Sequence, residues 1–286
     1  YGLSQADVLY EAPAEGGITR LMPIFQDYSG LDKIGSVRSC RHYYAYYAME
    51  FDAIYIHYGQ AIYATELLES GKVEDLNGLE GAIDSATFYR DKSRKAPHNA
   101  FVSTDGIDAG IELKGYDTEL PSDYTGHYQF NEDDEKEIEL TDGADAAVVQ
   151  PGYYINNPWF VYNSEDGLYY RFQYKKEHMD ENTGTQLAFK NILLQYCDYT
   201  KLDDAHGYLD VESTGEGTGK YITNGKVIDV TWKKASENEP TRYYDASGNE
   251  ITLNQGKTMV CVLLNDMEKK LNIYATEDEF TPPSAK

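Results

Sequence analysis

Two arginines and a histidine stand close together in a chain that is otherwise strongly acidic. Arg38, Arg41 and His42 lie in the segment GSVRSCRHYY at residues 35–44, whereas the chain as a whole carries a formal net charge of -24. The Tyr- and Ala-rich residues 39–50 predict a helix, so Arg38 and Arg41 would share one side of its first turn. Guanidinium groups at the positive end of a helix dipole repel it and each other. These arginines therefore need an acidic partner, which is either a carboxylate of the protein itself or an anionic ligand.

Size and composition indicate a globular protein of two domains. The chain has 286 residues, of which 41% are hydrophobic and 26% charged, values typical of a folded protein with a substantial core. No apolar run approaches the length needed to cross a bilayer. The negative charge argues against nucleic acid as a direct ligand, because neutralising phosphates takes clustered Lys and Arg. It also disfavours electrostatic docking on anionic lipid.

Several separate sequence blocks occur in a characteristic order along the chain. Those in the first half are ADVLYEAPAEGGITR at residues 6–20, GSVRSCR at 35–41 and KAPHN at 95–99. Those in the second half are HMDENTG at 178–184, KN at 190–191, GEGTGKYITNG at 215–225, TWK at 231–233 and GKT at 256–258. In order and spacing these blocks resemble the YerB-like DUF3048 family of bacterial lipoproteins. The resemblance implies an extracytoplasmic, membrane-anchored lipoprotein, tethered by a lipid on a segment that precedes Tyr1. It implies no reaction and no catalytic residues.

The chain divides into two halves of different character. Residues 131–139 form a polar, acidic run typical of an exposed connector. Before this run, helical and strand patterns alternate without the long regular crossovers of a doubly wound sheet. After it, apolar strands are separated by Gly, Asn and Asp turns. We therefore predict the α+β class, with a mixed α/β domain at residues 1–140 and a mostly antiparallel β domain at residues 141–286, as the resemblance also implies.

Hydrophobic periodicity and turn residues place the individual elements. The glycine-rich segment at residues 215–220 lacks the spacing of a phosphate-binding loop, so we predict a hairpin or bulge there and no nucleotide. In the first half we predict strands at residues 6–12, 18–26, 53–58 and 101–103, and helices at 39–50, 61–69 and 107–113. In the second half we predict strands at residues 144–149, 159–163, 168–174, 187–197, 227–233, 259–264 and 271–275.

The arginines of the first half are the main candidates for ligand binding, because guanidinium groups bind carboxylate and phosphate through paired hydrogen bonds. The alternative is an internal ion-pair network with nearby carboxylates: Glu11, Glu15, Asp52 and Asp84. We predict that the arginines inside the family-like blocks converge in one cleft with acidic side chains: Arg20, Arg38 and Arg41, with Asp84 and either Glu11 or Glu15. The complete set of ligand-binding candidates is Arg20, Arg38, Arg41, Arg90, Glu11, Glu15, Asp84, His98 and Asn99.

Three of these carboxylates also suit acid–base chemistry. Two carboxyl groups at a suitable separation hydrolyse a glycosidic bond, and Glu11, Glu15 and Asp84 would supply them in a cell-wall hydrolase. However, the same motifs contain arginines, whose charge lowers the pKa of a neighbouring carboxyl group and makes it a poor general acid. The motifs therefore favour binding over catalysis.

Histidines and cysteines give no sign of a metal or a cofactor. His57 and His98 lack the motifs of a catalytic nucleophile or a zinc site, and a histidine bonded to backbone is the better interpretation. Cys40 lies in an apolar context and is predicted to be free and buried. A bridge between Cys197 and Cys261 is the alternative for the other two cysteines. We expect neither metal nor cofactor.

Together these features favour an extracytoplasmic binding protein of the cell envelope. The expected partner is wall glycan, peptide or another protein. Nucleic acid is not expected, and the membrane is expected to be contacted only through the lipid anchor. Two alternatives remain open, a cell-wall hydrolase and a structural partner of another envelope protein.

Overall fold

The first half of the chain mixes short strands with helices. The computed structural model describes residues 1–122, 124, 126–133 and 136–283. The strands of this half are Val8–Pro13 (β1), Thr19–Ile24 (β2), Ile34–Gly35 (β3), Tyr55–His57 (β4), Asp75–Asn77 (β5), Phe88–Arg90 (β6), Ala100–Val102 (β7) and Gln129–Phe130 (β8). The helices are His42–Met49 (α1), Thr65–Glu69 (α2), Gly81–Thr87 (α3) and Thr104–Lys114 (α4), with 3-10 turns at Leu3–Gln5, Glu15–Gly17 and Ile62–Ala64.

The second half consists mainly of strands. In the described ranges, no helix is long and apolar enough to cross a membrane. The strands are Ala144–Asp145 (β9), Val148–Gln150 (β10), Trp159–Asn163 (β11), Leu168–Gln173 (β12), Lys176–Glu177 (β13), Ala188–Phe189 (β14), Asn191–Cys197 (β15), Tyr199–Lys201 (β16), Leu209–Val211 (β17), Gly215–Thr223 (β18), Lys226–Lys234 (β19), Arg242–Tyr244 (β20), Thr252–Leu253 (β21), Thr258–Leu264 (β22) and Asn272–Tyr274 (β23). Two 3-10 segments, Asn265–Lys270 and Glu277–Glu279, flank β23.

The predicted α+β class is confirmed, and one correction to the predicted elements affects the arginines. The helix predicted at residues 39–50 begins at His42, and Arg41 is its extended N-cap residue. The cause is tertiary: the backbone of Cys40 pairs with the neighbourhood of Gln60, which holds it extended. The prediction that Arg38 and Arg41 share a helical face is therefore wrong, because Arg38 precedes the helix.

Several elements of the structure were not predicted as such, and α3 and β18 are the most informative of them. Helix α3 was missed because it is short and begins at a glycine, a poor helix former. Strand β18 was predicted as a hairpin or bulge because glycines, which weaken a strand, occupy three of its first five positions. Its pairing with both β15 and β19 compensates for that weakness.

The largest sheet combines strands from both ends of the chain. Its order is β2–β1–β22–β15–β18–β19–β20, and β9 also pairs with β19. Strand β1 is parallel to β22 and antiparallel to β2, so the N-terminal hairpin joins strands that all lie beyond residue 140. The central strands β15 and β22 are parallel to each other and buried at every position. The domain boundary near residue 140 stays a prediction, and this sheet extends across it.

A second sheet lies over the main sheet and closes the core. Its order is β13–β12–β11–β10–β23, with β14 paired to β12. Buried side chains from this sheet, from the main sheet and from α1 form one hydrophobic cluster, as Phe160, Val260 and Tyr43 illustrate. A smaller cluster lies among α3, α4 and the three-stranded sheet β3–β7–β6.

Tyrosines account for the burial of α1 on nearly every side. The Tyr43 hydroxyl donates to the carbonyl of Pro13 at 2.7 Å. The Tyr44 hydroxyl lies 2.7 Å from the carbonyl of Ala12 and 2.9 Å from that of Arg20. A buried tyrosine is tolerated when its hydroxyl has such a partner. These bonds fix the start of α1 against the β1–β2 hairpin.

A fully buried ion pair joins β1 to β12. Arg171 Nη2 lies 2.7 Å from Glu11 Oε2, and neither side chain has any exposed surface. The other carboxylate oxygen of Glu11 accepts hydrogen bonds from Thr19 Oγ1 and Asn156 Nδ2, each at 2.6 Å. Buried charges are tolerated only when they are paired and hydrogen-bonded in this way.

A second buried network joins the end of α1 to β19. Glu50 lies 3.0 Å from Lys234 Nζ, and both side chains are fully buried. His127 Nε2 is 2.5 Å from Glu50, and the backbone and hydroxyl groups of Thr241 donate to it at 3.0 and 2.8 Å. Glu50 therefore connects segments that are far apart in the sequence.

Removing one member of the Glu11–Arg171 pair is expected to strand the charge of the other. Arg171→Met should lower the free energy of unfolding by about 3–5 kcal/mol, because Glu11 would stay buried without its cation. Glu11→Gln should also lower the free energy of unfolding, because Arg171 would stay buried without its anion. The double variant should lose less than the sum of the two single losses, since each single change already removes the shared interaction. Urea denaturation of the four proteins measures this coupling, and additive losses would contradict it.

All three cysteines are free and buried, so the Cys197–Cys261 bridge is not formed. Burial raises the pKa of Cys40 to about 12 and that of Cys197 to about 12, so neither thiol ionises readily. We expect the cysteines of the native protein to resist a thiol reagent at mildly alkaline pH. In urea, all three cysteines should react, consuming three equivalents of the reagent per chain. Rapid reaction of Cys40 in the native protein, mapped by mass spectrometry, would contradict its placement in the core.

Candidate functional site

Arg41 is locked in place by Glu15. Its Nε lies 2.5 Å from Glu15 Oε1 and its Nη2 lies 2.8 Å from Oε2, which makes a two-bonded fork. Its Nη1 donates to the backbone carbonyls of Ser39 and Cys40 at 3.2 and 2.9 Å. The ring centre of Tyr208 lies 5.2 Å from the guanidinium carbon. All three nitrogens of Arg41 therefore have partners within the protein.

The turn between β1 and β2 brings Glu15 and Arg20 to the same place. Gly16 and Gly17 follow Glu15 with φ of 69° and 76°, a region where glycine has no steric penalty. Arg20 then lies on β2, where its Nη1 donates to the carbonyl of Ser39 and its Nη2 lies 3.8 Å from Glu15 Oε2. Among the described residues, nothing accepts a hydrogen bond from Nε or Nη2 of Arg20.

Arg38 lies in the extended segment before α1 and reaches towards the loop at residues 91–99. Its Nη1 donates to the carbonyl of Pro97 at 2.5 Å and lies 3.4 Å from His98 Nδ1. Its Nε and Nη2 have no partner in the described part of the chain. We call the group formed by these side chains the arginine cluster: Arg20, Arg38, Arg41 and Glu15.

The charges of the arginine cluster do not balance, because it contains three guanidinium groups and one carboxylate. Burial alone would raise the pKa of Glu15, but the hydrogen bonds and charge of Arg41, together with the charge of Arg20, bring it below its usual value. Burial, and then the charges of Arg20 and Arg41, lower the pKa of Arg38. Within the described ranges, no carboxylate lies at ion-pair distance from Arg38.

Two further arginines beside the 91–99 loop share this property. Arg90 Nη1 donates to Asn99 Oδ1 at 3.0 Å, and its guanidinium lies 4.1 Å from the ring centre of Tyr58. Arg94 Nε donates to the carbonyl of His98 at 3.0 Å. In the residues described, neither arginine pairs with a carboxylate, although the chain contains 49 Asp and Glu. The 91–99 loop therefore adds positive charge next to Arg38.

Of the acidic partners predicted for the arginines, only Glu15 belongs to the arginine cluster in the part of the chain described. Glu11 lies in the core with Arg171 and has no exposed surface. Asp84 lies on α3 and forms no ion pair with any described arginine. The structure therefore corrects the predicted partnership with Glu11 and Asp84. The predicted internal network is formed at Arg41, whereas Arg38 stays open.

The histidines differ in their surroundings. His57 is fully buried, and its ring nitrogens lie 2.8 Å from the carbonyl of Gly59 and 2.8 Å from Asp75 Oδ2. It therefore braces the β4–β5 pair and cannot reach a ligand. His98 is exposed beside Arg38, and its backbone groups bond to Lys95 and Arg94. Among the described residues, no group of three or more His, Cys, Asp or Glu could hold a metal ion.

Two contributors to the arginine cluster were missed by the sequence analysis. The carbonyl of Ser39 accepts from both Arg20 and Arg41, and backbone acceptors leave no side-chain signal in a sequence. Tyr208 lies in the loop between β16 and β17, in the other half of the chain. No local pattern links it to Arg41.

Arg41 and Arg38 should respond differently to loss of charge. Arg41→Gln removes the partner of Glu15 and should lower the free energy of unfolding by about 1–3 kcal/mol, the usual cost of partly buried groups left unsatisfied. Arg38→Gln should change it by no more than about 0.5 kcal/mol, because relief of repulsion offsets the lost bond to Pro97. Urea denaturation at low salt measures both. Equal losses would place Arg38 in the internal network.

Comparison with known proteins adds the family to this description. The family described as "Protein of unknown function (DUF3048) N-terminal domain" matches residues 1–117, and its C-terminal domain matches residues 149–260. The chain is 32% identical to "Putative lipoprotein YerB" of Bacillus subtilis over 82% of this chain and 69% of the relative.

The fold of the chain is shared with a solved structure. The crystal structure of YerB protein from Bacillus subtilis superposes with a TM-score of 0.81 at 29% identity, covering 96% of this chain and 88% of that one. The similarity therefore extends over both halves and includes the segments that carry the arginine cluster. This chain belongs to the DUF3048 family.

Proposed function

We propose that this chain is a lipid-anchored binding protein of the cell envelope and that it holds an anionic group of its ligand at the arginine cluster. The observation that carries the proposal is the state of Arg38. Its Nε and Nη2 have no partner among the described residues, while the charges of Arg20 and Arg41 act on it. Among the described residues, Arg90 and Arg94 lack a carboxylate too, so guanidinium groups without an acidic partner are grouped beside Arg38 in a chain with net charge -24.

An anion beside Arg20 and Arg38 would relieve the repulsion between them. Arg20 bonds through Nη1 and its Nη2 lies 3.8 Å from Glu15 Oε2, whereas Arg38 uses only Nη1 for a hydrogen bond and keeps its Nε–Nη2 edge free. This edge matches the two oxygens of a carboxylate or a phosphate. Hydrogen bonds to charged groups contribute about 1.5–3 kcal/mol each. Arg41 would act indirectly, because its donors already hold Glu15 and the backbone in place.

The proposed location rests on the name of the Bacillus subtilis relative. The Bacillus subtilis protein is named as a lipoprotein, and a lipoprotein of this kind is tethered at the outer side of the membrane. The partners available there are wall glycan, wall peptides and other envelope proteins. A structural partnership with another envelope protein is one form of the same binding role.

The geometry supports binding over hydrolysis of a wall polymer. A hydrolase of this type needs a general acid with a raised pKa, and two carboxyl groups across a cleft. Glu11 has no exposed surface, and the pKa of Glu15 is lowered by Arg41 in spite of burial. Asp84 is then left without a carboxylate partner from the predicted set.

Cosedimentation with purified peptidoglycan sacculi tests this proposal. Wild-type protein should bind, and Arg20→Gln/Arg38→Gln should bind at least about tenfold more weakly, because one charge-assisted bond is worth about that factor. Lys233→Gln is the matched control, since it removes a positive charge at an exposed position on β19.

Each outcome of this experiment has a clear meaning. Equal binding of the wild type and the double variant contradicts the proposal, whereas absent binding of the wild type excludes the wall polymer and leaves a protein partner as the ligand. Release of soluble fragments by the wild type, lost in folded Glu15→Gln, would favour the hydrolase instead. Thermal unfolding of each variant confirms that the fold is retained.

A further inference from the structure

The exposed apolar side chain of Leu79 lies near the arginine cluster. Leu79 is 64% exposed, which is unusual for a large aliphatic residue beside a charged group. A methyl group built on Gly59 would lie 3.5 Å from Leu79 Cδ1 and 3.6 Å from Ser39 Oγ. Leu79 and Ser39 therefore border the same gap, and Ser39 is the residue whose carbonyl binds Arg20 and Arg41.

A second apolar group lies at the turn that carries Glu15. A methyl group built on Gly17 would lie 3.9 Å from Ile155 Cγ1 and 4.0 Å from Tyr154 Cβ. Tyr154 is 61% and Ile155 51% exposed, and Ile18, the next residue in the turn, is 42% exposed. The Tyr154–Ile155 segment comes from the second half of the chain, so both halves contribute to this surface.

Several exposed apolar side chains lie near the arginine cluster. The described residues include twelve large apolar side chains that are exposed, and five of them lie at its borders. Isolated exposed apolar residues need no explanation, whereas a grouped set marks an interaction site. The five are Ile18, Tyr63, Leu79, Tyr154 and Ile155, of which Tyr63 packs on Tyr208, the ring beside Arg41.

We propose that this surface binds a polypeptide segment that presents one carboxylate between apolar side chains. The carboxylate would bind the free donors of Arg20 and Arg38, and the apolar side chains would cover Leu79 and Ile155. This inference rests on the proposed function and specifies the chemistry of the ligand.

The surface suits a polypeptide better than a glycan. A sugar ring carries hydroxyl groups around its rim, and burying that rim against Leu79, Ile18 and Ile155 would leave them without hydrogen bonds, which is costly. Apolar amino-acid side chains lose no hydrogen bonds by the same burial. A short peptide can present a carboxylate and apolar side chains along one backbone, which matches a charged region with apolar neighbours.

The charge of the rest of the chain limits the ligand to few carboxylates. With a net charge of -24, the protein repels a partner that carries many negative charges. One carboxylate between uncharged neighbours receives the attraction of the arginine cluster without that repulsion. An acid-rich segment would be repelled by the acidic remainder of the chain.

Selection from a random twelve-residue peptide library displayed on phage tests the inference. Immobilised wild type and the Lys233→Gln control should enrich peptides with a single Asp or Glu flanked by aliphatic or aromatic residues. Arg20→Gln/Arg38→Gln should lose the acidic position, while Leu79→Ser/Ile155→Ser should keep it and lose the apolar flanks. A synthetic copy of an enriched peptide should bind at least about tenfold more tightly than its Glu→Gln or Asp→Asn twin.

Three results would overturn the inference. They are no enrichment on the wild type above a blank surface, equal enrichment on all variants, and enrichment of acid-rich peptides without apolar flanks. If the library fails while sacculi still bind in an arginine-dependent way, the ligand is not a polypeptide and the proposed function stands. If both fail, the arginine cluster is not a binding site. Circular dichroism of each variant shows that the fold is intact.

Discussion

Glu11 and Arg171 are both fully buried and lie 2.7 Å apart, where they join the first strand of the chain to the second sheet. The cost of removing both charges from water is offset only because Thr19 and Asn156 complete the bonding of the carboxylate. His178 Nδ1 faces Arg171 as an acceptor, and burial followed by the charge of Arg171 lowers the pKa of His178 to about 2. The β1–β2 turn is thereby fixed on the core, and Glu15 projects from that turn.

The arginine cluster depends on this placement of the turn. Once Glu15 is fixed, it takes the Nε–Nη2 edge of Arg41, and Arg41 Nη1 in turn holds the backbone carbonyls before α1. No second carboxylate in the described residues reaches Arg38. A structural network and an open site therefore coexist in one motif. Of the two interpretations that the sequence leaves open, the internal network is formed at Arg41, and ligand binding at Arg38 stays a proposal.

The sequence predicted the class of fold, the hairpin around Glu15 and the presence of α1, because each has a local signal in turn residues or apolar periodicity. The start of α1 was misplaced because pairing with Gln60 holds Cys40 extended, and such a contact has no local signal. The parallel pairing of β1 with β22 and the Glu11–Arg171 pair join distant segments and were likewise invisible. At the site, charge imbalance was predictable from composition, whereas which arginine stays open depended on tertiary contacts.

An acidic chain with a cationic site acts on its ligand at two ranges. Screening limits electrostatic interactions to about 8 Å at physiological salt, so a bound group responds mainly to Arg20, Arg38 and Arg41 and little to the remote carboxylates. At lower salt the range grows, and the net charge of -24 opposes the approach of a polyanion more strongly than that of a singly charged segment. Under the proposed function, the arginine cluster thus provides local affinity, while at low salt the acidic remainder of the chain disfavours highly charged competitors.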